Sequence, residues 1–152
     1  MNGARSRLAD AGARERIRND LDTSLMCLAG AGAGKTHALV ERMVACVGEG
    51  KVDIAHMAAI TFTRKAAGQL RGRFFLALQD AAAVAEQGEG AAAARQLARL
   101  RDAVARVDQC AIGTIHAFCA RLLRERPIEA GLPPNFSEVE EREELFLIRA
   151  AW

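Results

Sequence analysis

The 152 residues contain no CxxC pair: Cys27, Cys46, Cys110 and Cys119 stand apart, and His37, His56 and His116 are scattered. Zinc and iron–sulfur sites need ligands at short, regular spacing. Sites of that kind are therefore not expected, and reduced thiols are. No apolar run approaches the roughly 20 residues that cross a bilayer, so no membrane partner is expected. Met1-Asn2-Gly3-Ala4-Arg5 leads into charged sequence, unlike the apolar region of a secretory leader. A cytoplasmic protein is the expectation. No internal repeat is visible.

What is present is a foldable chain. Hydrophobic residues make up 51%, enough to exclude a disordered polymer. The length suits one domain or a piece of a larger one. The net charge of +2 hides an uneven distribution. Residues 61–126 carry 11 basic and 6 acidic side chains, whereas 127–152 carry 2 and 6. A basic middle fits an anionic partner such as nucleic acid. It fits ordinary solvated helix faces equally well.

The most specific segment is Leu28-Ala29-Gly30-Ala31-Gly32-Ala33-Gly34-Lys35-Thr36. Glycines let a backbone turn its N–H groups inward around phosphate oxygens. A lysine after the last glycine reaches β- and γ-phosphates, and the next hydroxyl can ligate Mg²⁺. Residues 29–36 match that P-loop pattern except that Ala29 replaces the first glycine. Alanine is tolerable there if φ stays negative. The dinucleotide pattern GxGxxG fails, because Lys35 falls where its third glycine belongs.

Periodicity supplies the context. Residues 7–20 are polar and helix-prone, with Leu8, Ile17 and Leu21 as sparse anchors. The apolar run 24–28 predicts a buried strand entering the glycine loop. Leu39, Val40, Met43, Val44 and Val47 predict a helix from about 34 to 47, ended by Gly48 and Gly50. A strand is predicted at 58–63. A helix follows at 65–84, with Ala66, Leu70, Phe74, Ala77 and Ala81 on its buried side. Residues 87–90 break the pattern. Leu97, Leu100, Val104 and Val107 mark a helix over 91–107. A third strand is predicted at 111–114, then a helix containing Phe118, Leu122 and Leu123 that stops before Pro127. Gly131-Leu132-Pro133-Pro134 is a loop, and a last helix is predicted at 138–152. Strands alternating with helices imply an α/β fold with a parallel sheet.

Two strand ends carry further signals. In Ile60-Thr61-Phe62-Thr63-Arg64-Lys65, hydroxyls and bases gather where a strand meets a helix, the edge at which α/β sheets bind ligands. Phe62 there is either a stacking platform for a base of a single strand or a core residue beside capping threonines. Ile112-Gly113-Thr114-Ile115-His116-Ala117-Phe118-Cys119 repeats the arrangement. His116 is either a donor to phosphate or base, or a satisfied structural histidine.

Taken in order, Ala-Gly-Ala-Gly-Ala-Gly-Lys-Thr, Thr-Phe-Thr-Arg-Lys-Ala-Ala and Gly-Thr-Ile-His-Ala-Phe-Cys resemble the start of a UvrD/Rep-type superfamily 1 DNA helicase. Residues 114–136 look most like the RecB/AddA-type branch. The resemblance runs from about Ala9 to the chain end. It implies an incomplete P-loop NTPase (RecA-like) parallel sheet with flanking helices and a helical insertion. Residues 1–152 would be the N-terminal portion of the ATP-binding domain. It implies ATP and Mg²⁺ as cofactors, held by Ala29, Gly30, Ala31, Gly32, Ala33, Gly34, Lys35 and Thr36. It implies contacts to single-stranded DNA from Thr61, Phe62, Thr63, Arg64, Thr114 and His116. It also implies 3′→5′ translocation in repair or recombination, and partner subunits of a helicase–nuclease complex.

The chain departs from that pattern in three places. Such helicases carry an adenine-reading glutamine upstream of the P-loop, but the first glutamine here is Gln69, which itself stands where many relatives have glutamate. Asp10-Ala11-Gly12-Ala13-Arg14 occupies the upstream place, with Arg14 as the candidate to stack on a base. ATP-over-GTP selectivity stays open. Phosphoryl transfer needs a carboxylate for Mg²⁺ and a group that orients the attacking water, yet no run of four large aliphatic residues (Val, Ile, Leu) is followed by Asp or Glu. The nearest acidic cluster, Glu138-Val139-Glu140-Glu141, reads as a helix N-terminus. These 152 residues hold no candidate arginine finger from a second motor domain. The expectation is therefore a fragment that binds Mg·ATP and single strands with negligible hydrolysis. Two alternatives remain: an inactive nucleotide- or DNA-binding remnant, and a small P-loop kinase, which would leave both threonine motifs unexplained.

Overall fold

A computed structural model of the chain describes residues 10–136. The chain divides into two compact units between Gly113 and Thr114. The predicted last helix at 138–152 and the acidic cluster at its start lie outside the described residues.

The first unit is a helix-rich α/β assembly. Helix α1 (Ala11–Asn19) packs on α2 (Lys35–Gly48), which packs on α3 (Arg64–Glu86) and α4 (Gly90–Ala105). Strands β1 (Ala58–Thr61) and β2 (Ala111–Thr114) pair as a two-stranded parallel sheet. Between them, α3 and α4 form a helical hairpin. Gly88 serves its turn, because a Cβ there would stand 2.9 Å from the Ala93 methyl.

The apolar residues of these elements form one core. Val40, Met43 and Val47 of α2 meet Leu70, Phe74 and Leu78 of α3, Leu100 and Ala103 of α4, and Ala59 and Ile112 of the strands. Phe74 and Leu78 have no exposed surface. The buried stripe of α3 is broader than the spacing of its apolar residues predicts. Ala67, Ala82 and Ala85 are buried with Leu70, Phe74 and Leu78, while Ala66, Ala77 and Ala81 flank them half-buried. The reason is that α3 is covered from several sides, by α4, α2 and β1.

One predicted element is corrected. Residues 24–28 do not form a strand, and Met26 and Leu28 are 87% and 86% exposed. A strand needs a neighbour for its N–H and C=O groups. Among the described residues β1 and β2 pair with each other, so the sheet has two strands rather than three.

Polar side chains position this extended stretch. Arg42 of α2 donates to the carbonyls of Ile17 and Asp20 at 2.7 Å and of Thr23 at 2.9 Å. Lys51 pairs with Asp22 at 2.7 Å. The chain leaving α1 is thus tied to the middle of α2 and to the segment just past its C-terminal end. Farther on, Arg106 grips Asp53 with both terminal nitrogens, at 2.8 and 3.0 Å, and Asp102 at 2.6 Å. The Arg106 guanidinium holds the Asp53 carboxyl below the usual carboxylate range, helped by the bond from the Ala55 N–H.

The second unit begins with α5 (Ile115–Glu125), and a turn-rich loop follows to residue 136. Phe136 N–H donates to the Pro133 carbonyl at 3.0 Å. The Arg124 guanidinium lies 5.7 Å from the Phe136 ring centre, within cation–π range. No described helix is long and apolar enough to cross a membrane.

Candidate functional site

The glycine loop leads straight into α2, whose first residue is Lys35. Gly32 and Gly34 take φ of +75° and +82°, and no described non-glycine residue has positive φ. Ala29, Ala31 and Ala33 therefore sit in ordinary backbone conformations, which removes the steric objection to alanine at position 29. Gly30 has negative φ as well, and nothing lies within 4 Å of where its Cβ would be. Neither backbone strain nor a crowded neighbour requires glycine there.

Lys35 Nζ donates to the carbonyls of Ala29 and Gly30, both at 2.8 Å. The ammonium spans the loop and stays exposed to solvent. Thr36 is exposed on the first turn of α2. At that turn the first N–H groups of a helix have no carbonyl one turn back to bond, and their dipoles favour anions. The loop therefore joins an exposed cation, a hydroxyl and unsatisfied donors at one helix end. This donor set fits a polyphosphate carrying a hard divalent cation.

Arg14 approaches the loop from α1. Its Nη2 donates to the Ala33 carbonyl at 2.8 Å, and its Nε to Asp10 at 2.9 Å. A Cβ on Gly34 would lie 3.2 Å from Arg14 Nη1, tight contact that glycine avoids. The bond to Arg14 lowers the Asp10 pKa, outweighing desolvation, and Asp10 in turn raises that of Arg14.

At the end of β1, Phe62 is 96% exposed. The core alternative for this ring is excluded. Thr63 caps α3, its hydroxyl accepting from the Ala66 N–H at 3.1 Å. Arg64 is exposed, and Thr61 is half-buried at the strand end. Arg71, one turn beyond Ala67, is committed elsewhere: its Nη2 donates to the Ile112 carbonyl at 2.8 Å and ties α3 to β2.

In the second unit, Thr114 caps α5 by accepting from the Ala117 N–H at 3.3 Å. His116 is exposed on the first turn of that helix. Each threonine motif is thus a strand running into a helix through a threonine cap, with exposed side chains beside it.

A shallow cavity of about 210 Å³, lined by Val47, Gly50, Val52, Asp53, Ile54, Arg99, Asp102 and Ala103, adjoins the far end of α2. Fourteen residues separate the ends of that helix, a span of about 20 Å at 1.5 Å per residue, so the cavity is no part of the glycine loop. Its polar side chains are also engaged, Asp53 and Asp102 with Arg106 and Arg99 with the Gly48 carbonyl. Among the described residues no three His, Cys, Asp or Glu side chains gather as a metal site.

Sequence reasoning missed Arg42 altogether, and it named Arg14 without the contact that Arg14 makes. Arg42 gave a signal only as one base on a helix, and nothing in its spacing pointed to three carbonyls 19 to 25 residues away. The bond from Arg14 to Ala33 likewise spans 19 residues.

A family model described as the UvrD/REP helicase N-terminal domain matches residues 10–151. Similar curated proteins are named as one subunit of an ATP-dependent helicase/nuclease. The Desulforamulus reducens protein is 37% identical over 124 residues, 80% of this chain and 9% of its own length. That of Syntrophomonas wolfei subsp. wolfei is 33% identical over 123 residues, 81% of this chain and 9% of its own. That of Ligilactobacillus salivarius is 28% identical over 137 residues, 90% and 10%. The chain thus spans about a tenth of the length of these relatives.

Proposed function

The chain belongs to the UvrD/REP helicase N-terminal domain family, and from that premise we propose that residues 1–152 are the N-terminal portion of the ATP-binding domain of a DNA helicase. The observation that carries this reading is the glycine loop. It has two left-handed glycines, a lysine laid across its carbonyls and a helix that begins on that lysine.

In this reading residues 29–34 form a P-loop around the ATP phosphates. Lys35 exchanges its two carbonyl acceptors for phosphate oxygens, a stronger charge-assisted pairing. The Thr36 hydroxyl would hold Mg²⁺, which supplies charge neutralisation on the phosphates. Arg14 borders the same site. Gly30 finds its reason here: its open flank lets the backbone approach a phosphate closely. No described residue combines a carboxylate with the loop for water activation, and neither described strand ends in Asp or Glu. Binding with negligible turnover is the expected behaviour of this chain.

Single-stranded DNA is the proposed track, contacted by Thr61, Phe62, Thr63 and Arg64 and by Thr114 and His116. An aromatic ring 96% exposed beside an arginine suits base stacking and phosphate pairing. The intact protein would move 3′→5′ along that strand at the expense of ATP. The names of the relatives support a partner that is a nuclease or another member of a helicase–nuclease complex, and a role in DNA repair or recombination. A cytoplasmic location follows from that role.

Titration of the full chain with Mg·ATP tests the reading, with Lys35→Ala alongside. Affinity should fall roughly 10- to 150-fold on losing the ammonium, the scale of charge-assisted hydrogen bonds. Equal affinity in the two proteins would remove the phosphate role from Lys35. Rapid hydrolysis by the 152-residue chain would refute the binding-only account.

A further inference from the structure

We infer that Arg14 is a positioning residue that sets the direction of the Gly34 N–H in the glycine loop, and that it acts on the phosphate part of the ligand rather than on the base. This rests on the nucleotide reading above and assigns one residue a defined task within it.

The argument starts from the peptide plane. In a trans peptide the C=O of one residue and the N–H of the next point in opposite directions, and no described peptide is cis. The Ala33 carbonyl is drawn toward α1 by Arg14 Nη2 at 2.8 Å. The Gly34 N–H, on the same plane, is therefore aimed away from α1. Gly34 is the cap residue of α2, so its N–H is one of the donors without a helical partner.

Arg14 is itself held. Its Nε donates to Asp10 at 2.9 Å, and Asp10 is the cap residue at the start of α1. Helix α1 is held against α2, because Arg42 grips the Ile17 and Asp20 carbonyls at its end. The chain Arg42, α1, Arg14, Ala33 fixes a single peptide of an otherwise glycine-rich loop. Free rotation there would cost an incoming anion the ordering of that peptide. Position 34 also favours glycine, since its φ is +82° and a Cβ would stand 3.2 Å from Arg14 Nη1. All of the guanidinium contacts described go to Asp10 and the loop backbone.

The test separates phosphate from base. The ¹⁵N-labelled 152-residue chain is titrated with Mg·ATP and, separately, with sodium tripolyphosphate, in wild type, Arg14→Ala, Arg14→Lys and Lys35→Ala. For Arg14→Ala both affinities should drop by the same factor, about 10-fold, the scale of the entropy cost of ordering one residue's backbone. The Gly34 amide resonance should move with tripolyphosphate in wild type and stop doing so in Arg14→Ala, while α3 and α4 amides keep their positions. Arg14→Lys, which retains one donor, should recover part of the loss.

A drop for ATP with tripolyphosphate unchanged would place Arg14 on the base and overturn the inference, as would no change in either. If Arg14→Ala disturbs the whole spectrum, Asp10→Asn keeps the guanidinium and loosens its anchor. It should lower both affinities equally by a smaller factor, and unequal or absent loss there counts against the inference. Wild type that binds neither anion, or Lys35→Ala that binds both normally, would bring down the nucleotide reading itself.

Discussion

The glycine loop and the α3–α4 hairpin are built on opposite principles. The hairpin is held by burial: Phe74, Leu78 and Leu100 lose almost all contact with water. The loop region has little buried surface, with no buried residue in α1 and exposed side chains at Met26 and Leu28. It is held by cationic side chains reaching backbone carbonyls: Arg14 to Ala33, Lys35 to Ala29 and Gly30, and Arg42 to three more. Burial is stiff and insensitive to ligands. The Lys35 clamp on an exposed backbone can be traded for bonds to an anion at small net cost, while those of Arg14 and Arg42 hold the loop in place. In the proposed reading, the two halves of the unit divide stability from binding accordingly.

The largest effect expected tests that division from the core side. Phe74→Ala should destabilise the chain by about 3–5 kcal/mol, as for other fully buried aromatics, seen as a lower denaturant midpoint. Lys35→Ala should leave that midpoint within about 0.5 kcal/mol, as surface changes do, while weakening Mg·ATP as above. A large midpoint shift in Lys35→Ala would mean that the loop shares the stability of the core.

Next comes Phe62. Its ring is solvated, so Phe62→Ala should not lower the denaturant midpoint. It should weaken binding of a fluorescent single-stranded oligonucleotide by about 1–3 kcal/mol, the range for one base–aromatic stack. A midpoint drop with unchanged oligonucleotide affinity would return Phe62 to a packing role. Gly34→Ala should reduce anion binding more than Gly30→Ala. Position 34 combines positive φ with a contact at 3.2 Å to Arg14, whereas position 30 has neither; isothermal titration with tripolyphosphate reads the difference.

The smallest effect is a pH dependence. Arg106 depresses the folded-state pKa of Asp53 below its unfolded value. That contribution is fully present above the unfolded value, near 3.9, and is lost as pH falls through the folded value. Asp53→Asn should thus be slightly less stable than wild type at about pH 6, and the gap should close as pH falls through the depressed folded value. Both groups are exposed, so 0.5 M salt should shrink it too. A gap that does not narrow on acidification would show that the Arg106 ion pair is not its source.

Much of this was legible in one dimension. The α2 stripe Val40, Met43 and Val47 and the core pair Leu70 and Phe74 follow from helical spacing. Thr63 and Thr114 were recognisable as strand-to-helix junctions, and both serve as caps. The failure at residues 24–28 has a definite cause. An apolar run reads as a strand on the assumption that a neighbour exists, and pairing is non-local information. Phe62 posed the reverse problem, since an aromatic at a strand end suits either core or surface.

By itself the sequence determined what is local: the turn that only Gly32 and Gly34 can make, the helix that starts at Lys35, the caps, and the apolar faces that must be buried. These depend on steric limits and hydrogen bonds within a few residues. The tertiary structure alone decided which cations hold which carbonyls, that Arg14 faces Ala33, and that Phe62 is bare while Phe74 is sealed. Those outcomes depend on how α1, α2 and the α3–α4 hairpin come together, and no spacing along the chain encodes distances between elements 19 or more residues apart.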